Sequence, residues 1–159
     1  MKKTRTKLLL ITAAILIAAV ISIVMAGQRS DRLILTDADT GKVYARYPLA
    51  EGACFSVAFQ HSVNKTPVEE IYENRGGRIV LTGCIYYSFG AGVAEELDPS
   101  WTLSYGENGE MILSDINLPM NDLTYVVGTV YDHMLTIGGE QVNLRALCGR
   151  NSRVHFEIS

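Results

Sequence analysis

From residue 32 onward, apolar and polar positions alternate over short distances, and no stretch sustains the period of a helix. The apolar positions are filled mainly by β-branched and aromatic residues, the side chains that suit a pleated, half-buried surface. Residues 32–36 read as a strand and 37–41 as its turn, with 42–47 returning until Pro48 stops the run. Residues 53–62 alternate most clearly, with Phe55, Val57 and Phe59 on one face and Ser56, Ala58 and Gln60 on the other. A five-residue link, 63–67, leads to a strand at 68–75. Gly76-Gly77 is a two-residue hairpin signal opening into 78–89. Residues 101–105 and 111–115 flank a polar turn at 106–110. Strands at 123–131, 134–137 and 141–147 follow, the last two joined through 138–140, and 153–158 closes the pattern. The only helical possibility in this region is a turn or two at 93–97, ahead of Pro99. Ten or so short strands joined by glycine turns predict an all-β fold, a compact antiparallel sandwich or barrel.

Upstream the pattern changes. Leu8 to Ala26 is apolar apart from Thr12 and Ser22, and Lys2, Lys3, Arg5 and Lys7 precede it. Nineteen such residues, rising about 1.5 Å each, cover most of a hydrocarbon core roughly 30 Å thick. Basic flanks stay cytoplasmic, so the chain beyond Ala26 is expected outside the cytoplasm. Val24-Met25-Ala26 before Gly27 also suits a cleaved signal sequence, but the apolar run is longer than the usual core of one. The expected organisation is a cytoplasmic segment at 1–7, a transmembrane anchor or signal sequence at 8–26, a tether at 27–31 and an extracytoplasmic β-domain at 32–159. Either alternative exports the domain.

Charge sharpens the division. The whole chain of 159 residues has 14 Lys+Arg, 17 Asp+Glu and a net charge of -3. Four of those basic groups lie in the first 26 residues, leaving ten against 17 acids, a net of -7 for the rest. That surface opposes a nucleic-acid function, which needs a basic face for the phosphates. Hydrophobic residues at 48% oppose intrinsic disorder, and the length leaves room for one domain. Cys54, Cys84 and Cys148 form no C-x-x-C pair, so zinc knuckles and redox motifs are unsupported. An exported domain could join two of them in a disulfide and leave one free, but Cys54 and Cys84 sit in apolar runs and read better as small buried hydrophobes.

The densest polar stretch is His61-Ser62-Val63-Asn64-Lys65-Thr66-Pro67-Val68-Glu69-Glu70. By alternation His61 shares the apolar face of Phe55, Val57 and Phe59. A hairpin across the link would set Glu69 or Glu70 opposite His61, and a one-residue slip exchanges the two. Such a His–carboxylate pair suits a metal ligand, a general base or a ligand-orienting group, or a buried polar clasp. Adjacent strand residues point to opposite faces, so His61 and Ser62 form no catalytic dyad. Ser88-Phe89-Gly90-Ala91-Gly92 lacks the first glycine of a nucleophile elbow and the Lys of a phosphate loop. Its glycines read as a sharp turn or a substrate-shaping loop. Asp132-His133 reads as a turn, His155 as exposed, and Asp31, Asp37 and Asp39 as turn formers without the spacing of a calcium loop. No cofactor is expected, and no enzyme activity.

The pattern Phe55-x-Val57-x-Phe59-Gln60-His61-Ser62-Val63-x-Lys65-Thr66-Pro67-Val68-x-Glu70, with Ser88-Phe89-Gly90-Ala91-Gly92, resembles the domain of unknown function 1850 family. Leu135-x-Ile137-x-Gly139 and Leu144 resemble its C-terminal part. The resemblance implies a small exported or membrane-anchored protein that accompanies fused permeases of the tripartite ATP-independent periplasmic transporter type. It makes His61, Ser62, Thr66, Pro67, Glu70, Ser88, Gly90 and Gly92 signature positions, none with a catalytic assignment. Val93-Ala94 departs from the proline-containing segment expected after the glycine loop. The expected function is an accessory or interaction module for a solute transporter, with a multi-pass permease as partner. The alternative is a small-molecule or metal-binding domain using His61, Glu69/Glu70 and the 88–92 loop.

Overall fold

A computed structural model describes residues 31–61, 65–87 and 97–159. The apolar segment 8–26, Ser62, the 88–92 loop and the proposed helical turn at 93–97 lie wholly or largely outside the described residues, so those expectations are not addressed by it. Asp31–Ser159 forms one compact unit. Its strands are β1 (Arg32–Asp37), β2 (Val43–Pro48), β3 (Cys54–Gln60), β4 (Pro67–Asn74), β5 (Ile79–Tyr86), β6 (Thr102–Tyr105), β7 (Met111–Ser114), β8 (Leu118–Pro119), β9 (Leu123–Val126), β10 (Met134–Ile137), β11 (Glu140–Asn143) and β12 (Arg153–Ile158). A single turn and a half of helix, α1 (Leu144–Cys148), lies between β11 and β12.

All pairings are antiparallel and fall into two separate sheets. One has the order β2-β1-β12-β9; the other runs β11-β10-β3-β4-β5-β7-β6, with β8 also paired to β5. Their inner faces meet in a shared core. Phe55 and Tyr72 of the larger sheet stack at 5.1 Å, and Phe55 faces Phe156 of the smaller sheet at 6.0 Å. Leu33, Leu35, Val57, Leu135 and Val154 fill the space around them, all fully buried. The all-β expectation holds, and two stacked sheets rather than a closed ring of strands carry it.

The larger sheet extends past the smaller one. There its inner face carries Cys84 and Leu113, covered by Ile116 with Leu97 and Trp101 rather than by a facing sheet. The tight turns follow their glycines. Gly76 and Gly77 have φ of 62° and 72°, and Arg75 and Arg78 exchange backbone hydrogen bonds across them, the geometry a two-residue hairpin demands.

Two expected elements differ. The run 141–147 is not one strand: Asn143 ends β11 and its side-chain oxygen accepts from the N–H groups of Arg145 and Ala146, capping α1. The run 123–131 stops as a strand at Val126. Gly128 comes so near the Tyr131 carbonyl that a Cβ would lie 2.5 Å from it, so the chain turns there instead of continuing. The cysteines also divide. Cys84 is buried, but Cys54 is exposed, because it begins β3 on the face away from the core; all three thiols are free.

Candidate functional site

The register of β3 against β4 decides between the two glutamates. Gln60 pairs with Pro67, Ala58 with Glu69 and Val57 with Glu70. Continuing the ladder, the His61 N–H donates to the Thr66 carbonyl at 2.9 Å, and the Lys65 N–H donates to the His61 carbonyl. Thr66 therefore stands opposite His61, and neither glutamate does. The expectation of a directly opposed His61–glutamate pair is corrected: the link is short, and Lys65 closes it in the left-handed region at φ 54°.

The two glutamates part by face. Glu69 lies on the outer face, where its carboxylate accepts from the Ser56 hydroxyl at 2.6 Å beside a shallow 250 Å³ hollow lined in part by Cys54 and Thr136. Glu70 shares the inner face with Val57 and Tyr72. Its Oε2 accepts from the Tyr72 hydroxyl at 3.0 Å and from the Tyr125 hydroxyl, and the two phenols are 2.6 Å apart. Tyr125 comes from β9, so this three-oxygen cluster joins the two sheets. Burial holds the phenols of Tyr72, Tyr125 and Tyr86 well above the usual tyrosine range, and it pushes the Cys84 thiol up to about 11.

Beyond Tyr125 lies an open pocket of about 480 Å³. Phe59, Gln60 and His61 form one side, and Val126 with the 128–133 loop forms the other. His133 stacks on Phe59 at 5.3 Å and 14°, and Tyr125 sets its edge to both rings at about 6 Å. The His133 Nδ1 accepts from the Gly128 N–H at 3.3 Å. Burial lowers the imidazole's pKa, against a smaller opposing pull from Asp132. Val126 and Val130 are 55% and 71% exposed at the rim.

The loop is braced from behind. Arg145 pairs with Asp132, whose Oδ1 is buried, and its guanidinium reaches the carbonyls of Thr129 and Val130. Asn143 donates to the other oxygen of Asp132 at 2.9 Å, and the Leu144 N–H donates to the His133 carbonyl at 2.9 Å. The cap that starts α1 thus also fixes the pocket wall.

Of the expected site residues, His61 lines the pocket and Glu70 lies behind it through Tyr125. Thr66 and Pro67 fix the hairpin, and Glu69 is on the other face. Ser62, Ser88, Gly90 and Gly92 lie outside the described residues. Tyr72, Tyr125 and His133 were missed, since Asp132-His133 read only as a turn. The contacts that place them cross between sheets, and no local spacing encodes those. His155 is half-buried rather than exposed, held near Thr124 and Asp122. Among the described residues no three His, Cys, Asp or Glu side chains gather as a metal site.

The fold and pocket define a small all-β domain with one braced, open end. The chain matches the family model described as "Domain of unknown function (DUF1850)" over residues 55–144, and it belongs to that family. No curated protein and no solved structure matches it.

Proposed function

We propose that the chain is a membrane-anchored, extracytoplasmic accessory module of a solute transporter, and that its working part is a small-molecule pocket at the open end. The carrying observation is the pocket itself. Its volume falls within the range of about 300–1,000 Å³ typical of small-ligand sites, and aromatic faces with a few polar groups line it. Its position supports the reading. Leu33 pairs with Ile158 and Asp37 with Val154, while Arg153 pairs with Val126. Asp31 and the pocket are therefore at opposite ends of the strands, roughly 20 Å apart at about 3.3 Å per residue from 31 to 37. Residue 31, where the expected tether joins, thus lies at the far end of the domain from the apolar Val126–Val130 rim. Tethering raises the domain's effective concentration near other membrane proteins.

Two measurements test the reading. A ligand bound by the folded state alone raises the melting temperature, so a solute screen on the full chain should give shifts that Gly128→Ala abolishes by displacing the loop. Extraction in mild detergent should recover the chain with a multi-pass permease. Absence of any solute shift removes the pocket half of the proposal, and recovery of the chain always alone removes the transporter half.

A further inference from the structure

Resting on the ligand-binding reading above, we infer that the pocket takes an uncharged, flat, largely apolar molecule carrying a hydrogen-bond acceptor, which the Nε2–H of His133 engages. The tautomer follows from a contact already in the fold. Nδ1 of His133 faces the Gly128 N–H, a donor, and a proton on Nδ1 would set two donors against each other. A neutral ring accepting at Nδ1 carries its proton on Nε2, so the group left to meet a bound molecule is a donor. The same contact argues against metal ligation by this ring, which needs the Nε2 lone pair.

The surroundings fix the charge. Apart from the two imidazoles, no strongly charged side chain is among the described lining residues. The nearest acid in sequence, Asp132, is occupied by Arg145 and Asn143. An ion drawn into such a pocket loses hydration without gaining a counter-charge, which is costly. The walls fix the shape: Phe59 and His133 lie nearly parallel, Tyr125 stands edge-on behind them, and Val126 and Val130 leave the mouth apolar. A flat ring sliding along these faces buries apolar area while its acceptor reaches His133.

The test uses three probes of one size: benzamide, benzoate and benzylamine, each at millimolar concentration with the full chain. Benzamide should raise the melting temperature at least several-fold more than either ion. His133→Phe keeps a ring against Phe59 but removes the donor, and it should weaken the benzamide shift several-fold while both ions stay disfavoured; a benzamide shift unchanged in that variant overturns the donor role. Nitrogen-15 spectra of the imidazoles at pH 7.5 should place the His133 proton on Nε2. A larger shift with benzoate or benzylamine overturns the inference and leaves the ligand-binding reading standing. A zinc-induced shift lost in His133→Phe, or a proton found on Nδ1, overturns it as well. No shift with any of the three overturns the inference as well, and the wider solute screen decides the ligand-binding reading separately.

Discussion

The two ends of the strands solve opposite problems. At the end carrying Asp31, Asn74 is fully buried, and its side chain is saturated. Its Nδ2 donates to Leu49 O at 2.8 Å and to Asp31 Oδ2 at 3.1 Å, and its Oδ1 accepts from the Gly77 N–H. Its backbone joins Gly52 and Ala53, and Glu51 caps the Gly76 N–H. That end is closed. At the other end the polar groups are arranged around a space: Glu70 and two phenols behind it, His133 in its wall, Arg145 bracing the loop from outside. The sealed end spends its hydrogen bonds on holding strands together, and the open end spends them on holding a shape. Function is expected where the molecule maintains an opening it does not need for folding.

The sharpest way to break this comparison is at the sealed end. Asn74→Ala removes a fully buried amide and leaves the carbonyl of buried Leu49 without that partner, and it should cost about 2–4 kcal/mol in chemical denaturation. Ligand-induced shifts, corrected for the lower baseline, should persist. If the variant instead unfolds no more easily than the parent, the closed end is not the stability anchor.

Next in size is the joint between the sheets. Tyr125→Phe removes the hydroxyl that reaches both Glu70 and Tyr72, and the expected loss is about 1–2 kcal/mol. Paired with Tyr72→Phe, the two losses should fall short of additivity, since the phenols share a carboxylate. The alkaline limb tests the same cluster. The folded chain keeps phenolic protons that the unfolded chain releases above about pH 10, so stability should decline beyond that point. A decline equal in the double variant would exclude these two tyrosines as its source.

How far the sequence carries this picture depends on the range of the interaction. The Gly76-Gly77 turn, the hairpin across 106–110 and the bounds of β10 and β12 were legible because local chemistry decides them. The inward face of Phe55, Val57 and Phe59 was legible through parity. Choosing Glu70 over Glu69 was not, because both suit a strand and only the register separates them. α1 has five residues, too few to express a helical period. Tyr125 and His133 meet Phe59 across more than sixty residues of chain, which no spacing rule reaches.

A smaller effect is expected at the brace. Arg145→Gln should change stability by less than about 1 kcal/mol, because the Arg145–Asp132 pair is partly exposed. Its effect should fall on the pocket, through a reduced thermal shift with any ligand that binds the parent. A full loss of stability would mean that the loop is part of the core rather than a wall.

The smallest effect, and the one with a distinctive sign, belongs to His133. Burial lowers its folded pKa below the unfolded value of about 6.5. As pH falls through that value the unfolded chain takes up a proton that the folded chain resists, so stability decreases on acidification and levels off below the lowered folded pKa. The accepting position of Nδ1 toward Gly128 works in the same direction, since protonation there would break that contact. Melting curves from pH 8 to pH 5 should show this acid decline, and His133→Phe should flatten it. The same variant leaves Asn74 and its partners untouched, so a matching change in the decline for Asn74→Ala would point to a global cause. A rise in stability on acidification would contradict a buried neutral imidazole and, with it, the donor role assigned to the pocket wall.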